Sequence, residues 1–425
     1  MSGLYEHKAH KPFRSLLPSV LLTAAVAGYS SVSLAGATFK IDDTKWLSLG
    51  AGLRTSFFAQ ESAADDSRWS NDFTVDNMRL YLNAQIHEYI KLEINTECQT
   101  CNSGGEVRLL DAIGKFEIDP MYNLWVGRML VPAERREMNG PFYSSVYNIY
   151  SVGTPFEPSD FNTTIRSDGT SAGSFGRDDG ATVWGAFFEG RFQYAVGVFQ
   201  GLRGGANKDD NLLYAQRVSY NFWEVEKNPG YYTSGTYYGK GGDILTVAVS
   251  NQYQEDGAGI VGDSGDLRAT SVDVLMEKVL GNGGVITLNG EYKNYEISGF
   301  NMSSRDRLKN SNTRNLPATD PDFVAPGFAM FEGNAYDVSA MYLFPQKVGI
   351  GLIQPFVRYV NTMPNNSTNR NVYELGVNYV IDGHNARVGL SWLYGDRLTK
   401  GVGDFSSDAD GDDVNAVSLN FQYQI

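Results

Sequence analysis

The sequence closes with Asn415-Ala-Val-Ser-Leu-Asn-Phe-Gln-Tyr-Gln-Ile425, in which apolar residues alternate with uncharged polar ones. Successive side chains of a β-strand point to opposite faces, so this segment has one apolar face and one polar face. A strand of a soluble β-sandwich can show the same pattern. A strand that ends on Phe421, Tyr423 and Ile425 is more typical of a transmembrane barrel, which meets lipid outside and a wet lumen inside.

The N-terminal segment has the features of a secretory signal peptide. Three basic residues precede an apolar run over residues 16–27, and Ala35-Gly36-Ala37 fits a small-residue cleavage pattern. The alternative, a membrane anchor helix, needs a longer apolar run to cross a bilayer. We therefore expect residues 1–37 to be a cleaved signal peptide and residues 38–425 to form the mature domain.

Composition narrows the classes of protein that remain. After residue 37 the sequence predicts no membrane helix, because no apolar run there reaches about 18 residues. The formal net charge is −14, and removal of the +2 on residues 1–37 leaves −16, which does not fit a nucleic-acid partner. Only His87 and His384 remain in the mature domain. We expect no metal site and no cofactor, because a multi-ligand metal site needs more such ligands.

Strand-like runs recur along the whole mature domain and number sixteen. This count predicts an all-β protein, a 16-stranded antiparallel transmembrane β-barrel with short periplasmic turns and long extracellular loops. The predicted strands are 46–58, 73–87, 90–97, 107–119, 121–131, 177–189, 191–201, 211–223, 243–253, 267–279, 284–295, 327–344, 350–361, 371–382, 384–397 and 414–425.

The connections between these strands alternate in length. Short turns such as Glu88-Tyr89, Asp119-Pro120 and Asp382-Gly383 alternate with long connections, of which 132–176 is the longest. Short turns at one end and long loops at the other are typical of outer-membrane barrels. The connection 224–242 is an exception, because it is long although it lies on the predicted short-turn side. The sequence offers no physical explanation for it.

Several predicted strands separate cleanly into two faces. In strand 384–397, Leu390 and Trp392 would face lipid, whereas Arg387 and Ser391 would face the lumen. Charges at inward positions fit a water-filled lumen better than the packed core of a soluble protein. A barrel of this size leaves an aqueous channel, which we expect to be open apart from its loops.

The order of several short motifs resembles the phosphate/polyphosphate-selective porin family (porins O and P) of Gram-negative outer membranes. The resemblance extends over most of the mature domain. Its motifs are Arg79-Leu80-Tyr81-Leu82, Leu110-Asp111-Ala112 to Phe116, Leu124-Trp125-Val126-Gly127-Arg128 running into Val131-Pro132, Gly230-Tyr231-Tyr232-Thr233 to Tyr237-Tyr238-Gly239, and Gln354-Pro355-Phe356-Val357-Arg358-Tyr359.

The resemblance implies a homotrimer in the outer membrane, in contact with lipid and lipopolysaccharide, that conducts small ions and solutes passively. It also implies that loop 132–176 folds inward and constricts the pore, and the length of that loop already suggests a functional role.

Phosphate-selective members of the family line their pores with Arg and Lys, because fixed cations offset the hydration that an entering anion loses. The inward cations predicted here, with two from loop 132–176, are Arg54, Arg79, Lys91, Lys115, Arg135, Arg136, Arg217, Lys293, Arg358 and Arg387. Seven inward acids nearly balance the cations on the strands, so the sequence does not predict a dominant phosphate ladder. These acids are Glu93, Asp111, Glu117, Asp273, Glu277, Glu291 and Glu374.

Cys98 and Cys101 are the two cysteines of the chain. Asn102 follows the second cysteine, whereas a haem-attachment motif has a histidine there. In an oxidising compartment we interpret the pair as a candidate disulfide that stiffens an extracellular loop. A metal-binding or electron-transfer role is the alternative.

Three functions follow as hypotheses. The leading one is a passive channel for small ions and hydrophilic solutes, with anions such as phosphate among the candidates. The alternative is a barrel that houses or anchors a redox partner such as a periplasmic cytochrome, for which the cysteine pair is the support. The third, a barrel hydrolase, is disfavoured because His87 and His384 lie at predicted periplasmic turns, so we expect no enzyme activity.

Overall fold

A computed structural model describes residues 36–64, 68–98, 107–149, 176–203, 207–260, 263–299, 333–365, 369–396 and 413–425. These residues belong to one compact unit that spans 34–425. Within them lie eighteen β-strands and one helix, α1 (Arg135–Tyr143). This helix, the one in the described part of the chain, is not long and apolar enough to cross a membrane.

Sixteen long strands form the wall of the molecule. They are β2 (Trp46–Gln60), β3 (Ser70–His87), β4 (Ile90–Cys98), β5 (Arg108–Glu117), β6 (Asn123–Leu130), β7 (Arg177–Phe187), β8 (Phe192–Phe199), β9 (Leu213–Asn221), β10 (Ile244–Ile260), β11 (Asp263–Val279), β12 (Val285–Ser298), β13 (Gly333–Leu343), β15 (Gly351–Pro364), β16 (Arg370–Asp382), β17 (Ala386–Gly395) and β18 (Val414–Gln424). The short strands β1 (Ala37–Lys40) and β14 (Lys347–Val348) add to β2 and β15.

The wall is a closed cylinder, as the sequence predicts. Each long strand pairs antiparallel with the next one along the chain, and the last strand, β18, pairs with β2. In that closing pair Gln422 lies opposite Arg54. Closure gives each of the sixteen long strands a partner on both sides, which is how a β-structure satisfies its backbone groups in lipid.

The predicted strand positions agree with the observed ones, and the main difference is in length. The strand expected over 243–253 extends to Ile260, and the one expected to start at 267 begins at Asp263. Apolar alternation marks only the part of a strand that meets hydrocarbon, whereas the backbone ladder continues beyond it. Residues 327–332, predicted as strand, lie outside the described residues.

The two faces of the wall differ in chemistry, as expected. Leu80 and Leu390 on the outer face are 56% and 54% exposed, whereas Arg79 and Arg387, on the inner face of the same two strands, are 6% and 2% exposed. Outer-face aromatic residues form pairs toward both ends of the cylinder. The pairs are Tyr292–Tyr336, Tyr359–Tyr373 and Trp392–Tyr394 toward the long-loop end, and Tyr342–Phe344, Tyr220–Phe222 and Phe187–Tyr194 toward the short-turn end. Aromatic girdles of this kind flank the apolar band of membrane barrels.

The interior of the barrel as candidate functional site

The first part of the predicted constriction loop lies inside the barrel. Every residue from 130 to 149 is buried except Tyr143. At one wall, Arg217 on β9 donates to the carbonyl of Ala133 at 2.9 Å. At another, Arg387 on β17 donates to the carbonyl of Ser144 at 2.8 Å. Residues 131–149, the inward loop, therefore cross the lumen, whereas 150–175 lie outside the described residues.

The inward loop contains α1, which is kinked. Gly140 has φ 58° and ψ −174°, and Pro141 follows it. A residue with positive φ cannot continue a right-handed helix, and proline cannot donate the next backbone hydrogen bond. The kink separates the segment that meets β9–β13 from the segment that meets β16–β18 and β2.

The connection between β9 and β10 enters the same space from the short-turn end. The phenol of Tyr231 donates to the carbonyl of Leu130 at 2.7 Å, and the backbone N–H of Gly235 donates to the carbonyl of Tyr143 at 2.9 Å. Residues 222–243, the inward turn, thus account for the exceptional length of this connection. The sequence predicts a channel open apart from its loops, and the structure shows two connections, the inward loop and the inward turn, that meet within the barrel.

Gly230 allows the inward turn to pack closely on the wall. Its φ is 58°, and a Cβ atom there would lie 2.2 Å from the Trp125 ring. Trp125 in turn packs against Trp184, Tyr231 and Tyr232 with ring centroids 5.1–5.4 Å apart. This aromatic cluster is an apolar anchor that fixes the inward turn to the wall.

Arg135 joins the inward loop, the inward turn and the wall. Its two terminal nitrogens contact both carboxylate oxygens of Glu226 at 2.8 and 2.7 Å, and its Nε lies 3.3 Å from Asp273. Arg217 also pairs with Asp273. Burial would raise the pKa of Glu226, but the Arg135 guanidinium outweighs it and lowers that pKa to about 2. The carboxylate is therefore held in its charged form.

A second group of ion pairs lies where the inward loop meets β12–β16. Arg136 contacts Glu291 and Asp337 at 3.3 and 2.8 Å. Arg358 contacts Asp337 at 2.6 Å and Glu374 at 3.3 Å. Lys293 reaches Glu134 at 2.5 Å.

The remaining predicted cations of β3–β5 are paired along the wall itself. Lys91 contacts Glu117 at 2.5 Å, and two more pairs join Arg79 to Glu97 and Lys115 to Glu93. Eight of the ten predicted pore-lining cations thus contact carboxylates. The near balance of inward charges in the sequence reflects this lattice of ion pairs, in which each charge offsets the burial cost of its partner.

Arg54 and Arg387 are different, because neither contacts a carboxylate among the described residues. Arg54 donates to Asn77 Oδ1 at 2.7 Å and to the carbonyl of Tyr147, and its guanidinium lies 3.8 Å from the Tyr147 ring. Arg387 donates to loop carbonyls and to Gln422 Oε1 at 3.0 Å. Gln422 lies opposite both arginines in the strand register.

These two side chains are 3% and 2% exposed, and the Nε atom of each has no hydrogen-bond partner. Three neighbouring strands, β17, β18 and β2, therefore hold two buried guanidinium charges in one row. Asp76, which accepts a hydrogen bond from the Tyr147 phenol at 2.5 Å, offsets part of the charge of Arg54 without contacting it directly.

Cys98 is the last residue of β4 and is fully buried and disulfide-bonded. Cys101 lies outside the described residues. Among the described residues, no group of three or more His, Cys, Asp and Glu side chains could hold a metal ion.

The structure brings Ser234 of the inward turn within 3.1 Å of His384 Nε2, a proximity that the sequence did not predict. The same nitrogen lies 2.9 Å from the carbonyl of Thr236. A carbonyl only accepts, so Nε2 carries the proton and is no base for Ser234. Burial, together with the Arg387 guanidinium, lowers the pKa of His384 to about 3. His384 is therefore a neutral packing residue.

No protein-family model and no curated protein matches the sequence. Solved structures do share its fold. The anion-selective porin from Comamonas acidovorans is 11% identical, with a TM-score of 0.55 over 90% of this chain and 100% of that one. A high-pH structure of Pseudomonas putida OprB is 10% identical, with a TM-score of 0.50 over 89% and 94%. In vitro folded OmpT, an outer membrane protein of Vibrio cholerae, is 14% identical, with a TM-score of 0.50 over 91% and 99%. The chain thus has the fold of outer-membrane porins.

Proposed function

We propose that this protein is an outer-membrane porin, a passive diffusion channel for small ions and hydrophilic solutes. One observation carries the proposal. A closed barrel with an apolar outer face and a charged inner face is crossed by an inward loop that is fixed to the wall by ion pairs. A narrowed polar lumen in a lipid-facing wall lets small solutes cross and holds back larger ones.

The proposal includes a mild preference for anions, with phosphate as one candidate. Eight predicted pore cations are neutralised by neighbouring carboxylates, so they add little net field. Arg54 and Arg387 supply the remaining positive potential, and two charges make a preference rather than a strong filter.

Export by cleavage of residues 1–37, placement in lipid and lipopolysaccharide, and assembly as a homotrimer belong to the same proposal. The outer-face aromatic pairs at both ends of the wall support the membrane placement. The alternative of a sheath for a cytochrome has no support in the described residues beyond the bonded state of Cys98.

Planar-bilayer recording of the purified protein tests the proposal. We expect stepwise conductance, and a reversal potential in asymmetric KCl with the sign that chloride permeation produces. Added phosphate should reduce the chloride current if the two anions share the path. A membrane that stays electrically silent after insertion would contradict the porin assignment, and a potassium-selective reversal potential would contradict the anion preference alone.

A further inference from the structure

A cavity of about 210 Å³ lies between the inward turn and the wall formed by β7–β9. Pro120, Ala186, Gln193 and Ser219 on its rim belong to the short-turn ends of their strands or to an adjacent turn. The cavity therefore lies at the end of the barrel where a solute would leave or enter on the short-turn side.

The charged groups around this cavity cancel one another. Arg135 and Arg217 line it, and both are paired with Asp273. Glu226 also lines it and is paired with Arg135. An anion entering here would meet a carboxylate, and a cation would meet two guanidinium groups. The cavity thus favours a solute without net charge.

The uncharged lining combines aromatic rings with hydrogen-bonding groups. Trp184 and Tyr231 contribute the rings, and Gln193, Asn228 and Ser219 contribute amides and a hydroxyl. The Nε1 atom of Trp184 is itself buried, so Trp184 contributes its ring rather than a donor to this lining.

We propose that this cavity binds a neutral polyhydroxylated ring compound of the size of one hexose. Such a ring has apolar C–H faces that pack on aromatic side chains and hydroxyl groups that both donate and accept hydrogen bonds. The proposal rests on the proposed function, because it places a solute subsite on the diffusion path at the short-turn end. It specifies a neutral class among the hydrophilic solutes that the proposed channel conducts.

D-Glucose is the probe, titrated into the detergent-purified full-length protein while intrinsic tryptophan fluorescence is recorded. We expect a saturable change in the millimolar range, because few groups contact the ligand. Trp184→Phe keeps an aromatic ring but removes the tryptophan that lines the cavity, so it should abolish most of the fluorescence change while glucose still reduces the ionic current. Asn228→Ala should raise the apparent Kd for glucose about threefold to tenfold, as expected for the loss of one hydrogen bond.

Two matched controls lie outside the cavity. Trp392→Phe changes a tryptophan on the outer face, and Asn282→Ala changes an asparagine in another short turn. Both variants should retain the wild-type glucose affinity. Heat-modifiable migration in SDS gels checks that each variant is a folded barrel.

The same samples are recorded in planar bilayers, where glucose should reduce the ionic current over the concentration range of the fluorescence change. A conducting channel with no saturable response to glucose would overturn the cavity proposal and leave the porin assignment intact. Saturable binding by a protein that never conducts would overturn the porin assignment instead. Saturation by phosphate but not by glucose would also overturn the proposal, because it would show an anion site.

Discussion

Arg54 and Arg387 are the residues whose chemistry most directly sets the proposed selectivity. Other lumen cations discussed above lie beside a carboxylate, and substitution of one of them would leave that carboxylate without its cation. These two instead hold loop carbonyls and an amide oxygen. Their positive charge therefore acts on any ion that passes. The interaction stays appreciable because the effective dielectric constant inside a protein is about 20, well below that of water.

The paired substitution Arg54→Gln with Arg387→Gln should lower the chloride-to-potassium permeability ratio by about twofold to tenfold. One charge at about 10 Å in a medium of effective dielectric constant about 20 contributes about 1–2 kcal/mol, and salt screens part of it. Reversal potentials in asymmetric KCl measure the ratio. Lys278→Gln removes a charge from the outer face and is the control. An unchanged ratio in the folded double variant would refute the role of the two arginines.

His384 should make barrel stability depend on pH. Its pKa is lowered by burial from 6.5 to about 3, so the unfolded chain binds a proton more readily than the folded one. The stabilising contribution is complete above pH 6.5 and is lost as the pH falls toward 3, by about 1.4 kcal/mol per pH unit.

We expect the temperature of unfolding, read from heat-modifiable migration or circular dichroism, to fall over this acidic range. His384→Gln keeps a donor for the Thr236 carbonyl and should flatten the dependence. His87→Gln, at the exposed end of β3, is the control and should retain the wild-type profile. Equal acid sensitivity in both variants would assign the effect to other groups.

At the scale of elements, the inward turn is the feature that sequence reasoning located but did not explain. Its length stands out against the other short-turn connections, yet it has no strand or helix periodicity. Its position depends on contacts that are distant in sequence, such as Arg135 with Glu226, 91 residues apart. Periodicity reports which face of a strand is apolar, and it carries no information about which loop a buried carboxylate meets.

Gly230→Ala tests whether the inward turn depends on its close packing against Trp125. A methyl group would collide with the indole ring and would also be strained at φ 58°, a cost of about 1–3 kcal/mol. We expect faster proteolysis within 222–243 and a larger single-channel conductance. Gly281→Ala is the matched control, because a Cβ at Gly281 would meet no atom within 4 Å. Identical behaviour of the two variants would show that the turn is fixed by other contacts.

Glu226→Gln tests the junction between the inward turn and the inward loop. The substitution leaves the buried Arg135 with Asp273, which it already shares with Arg217. Loss of one partner from a buried ion pair costs about 3–5 kcal/mol. The turn should detach while the wall stays intact, so we expect open-channel noise and conductance to rise with no loss of heat-modifiable migration. Wild-type conductance and noise in a folded Glu226→Gln barrel would contradict this account.

For the whole molecule, strand count, the alternation of turn lengths and the orientation of the two faces could all be predicted from the sequence. Each follows from a period of two and from turn-forming residues, which are local properties. The pairing of the inward charges could not be predicted, because Arg136 and Asp337, for example, meet only after the loop folds back into the finished cylinder.

The mature N-terminus is a whole-molecule prediction that mass spectrometry of the purified protein can check. We expect the mature chain to start near Thr38, within β1 (Ala37–Lys40). Loss of Ala37 would remove only the first of four pairs that β1 makes with β2, so barrel closure should be unaffected. A purified protein that begins at Met1 would contradict cleavage.

The pairing of β18 with β2 also bears on biogenesis. The ladder joins residues 52–60 to residues 416–424, so ring closure depends on a contact between segments far apart in sequence. Until that pair forms, β2 and β18 each carry unsatisfied backbone groups that could template aggregation. We therefore expect a chain that lacks β18 to leave β2 and β17 each with one unpaired side, and to aggregate rather than close.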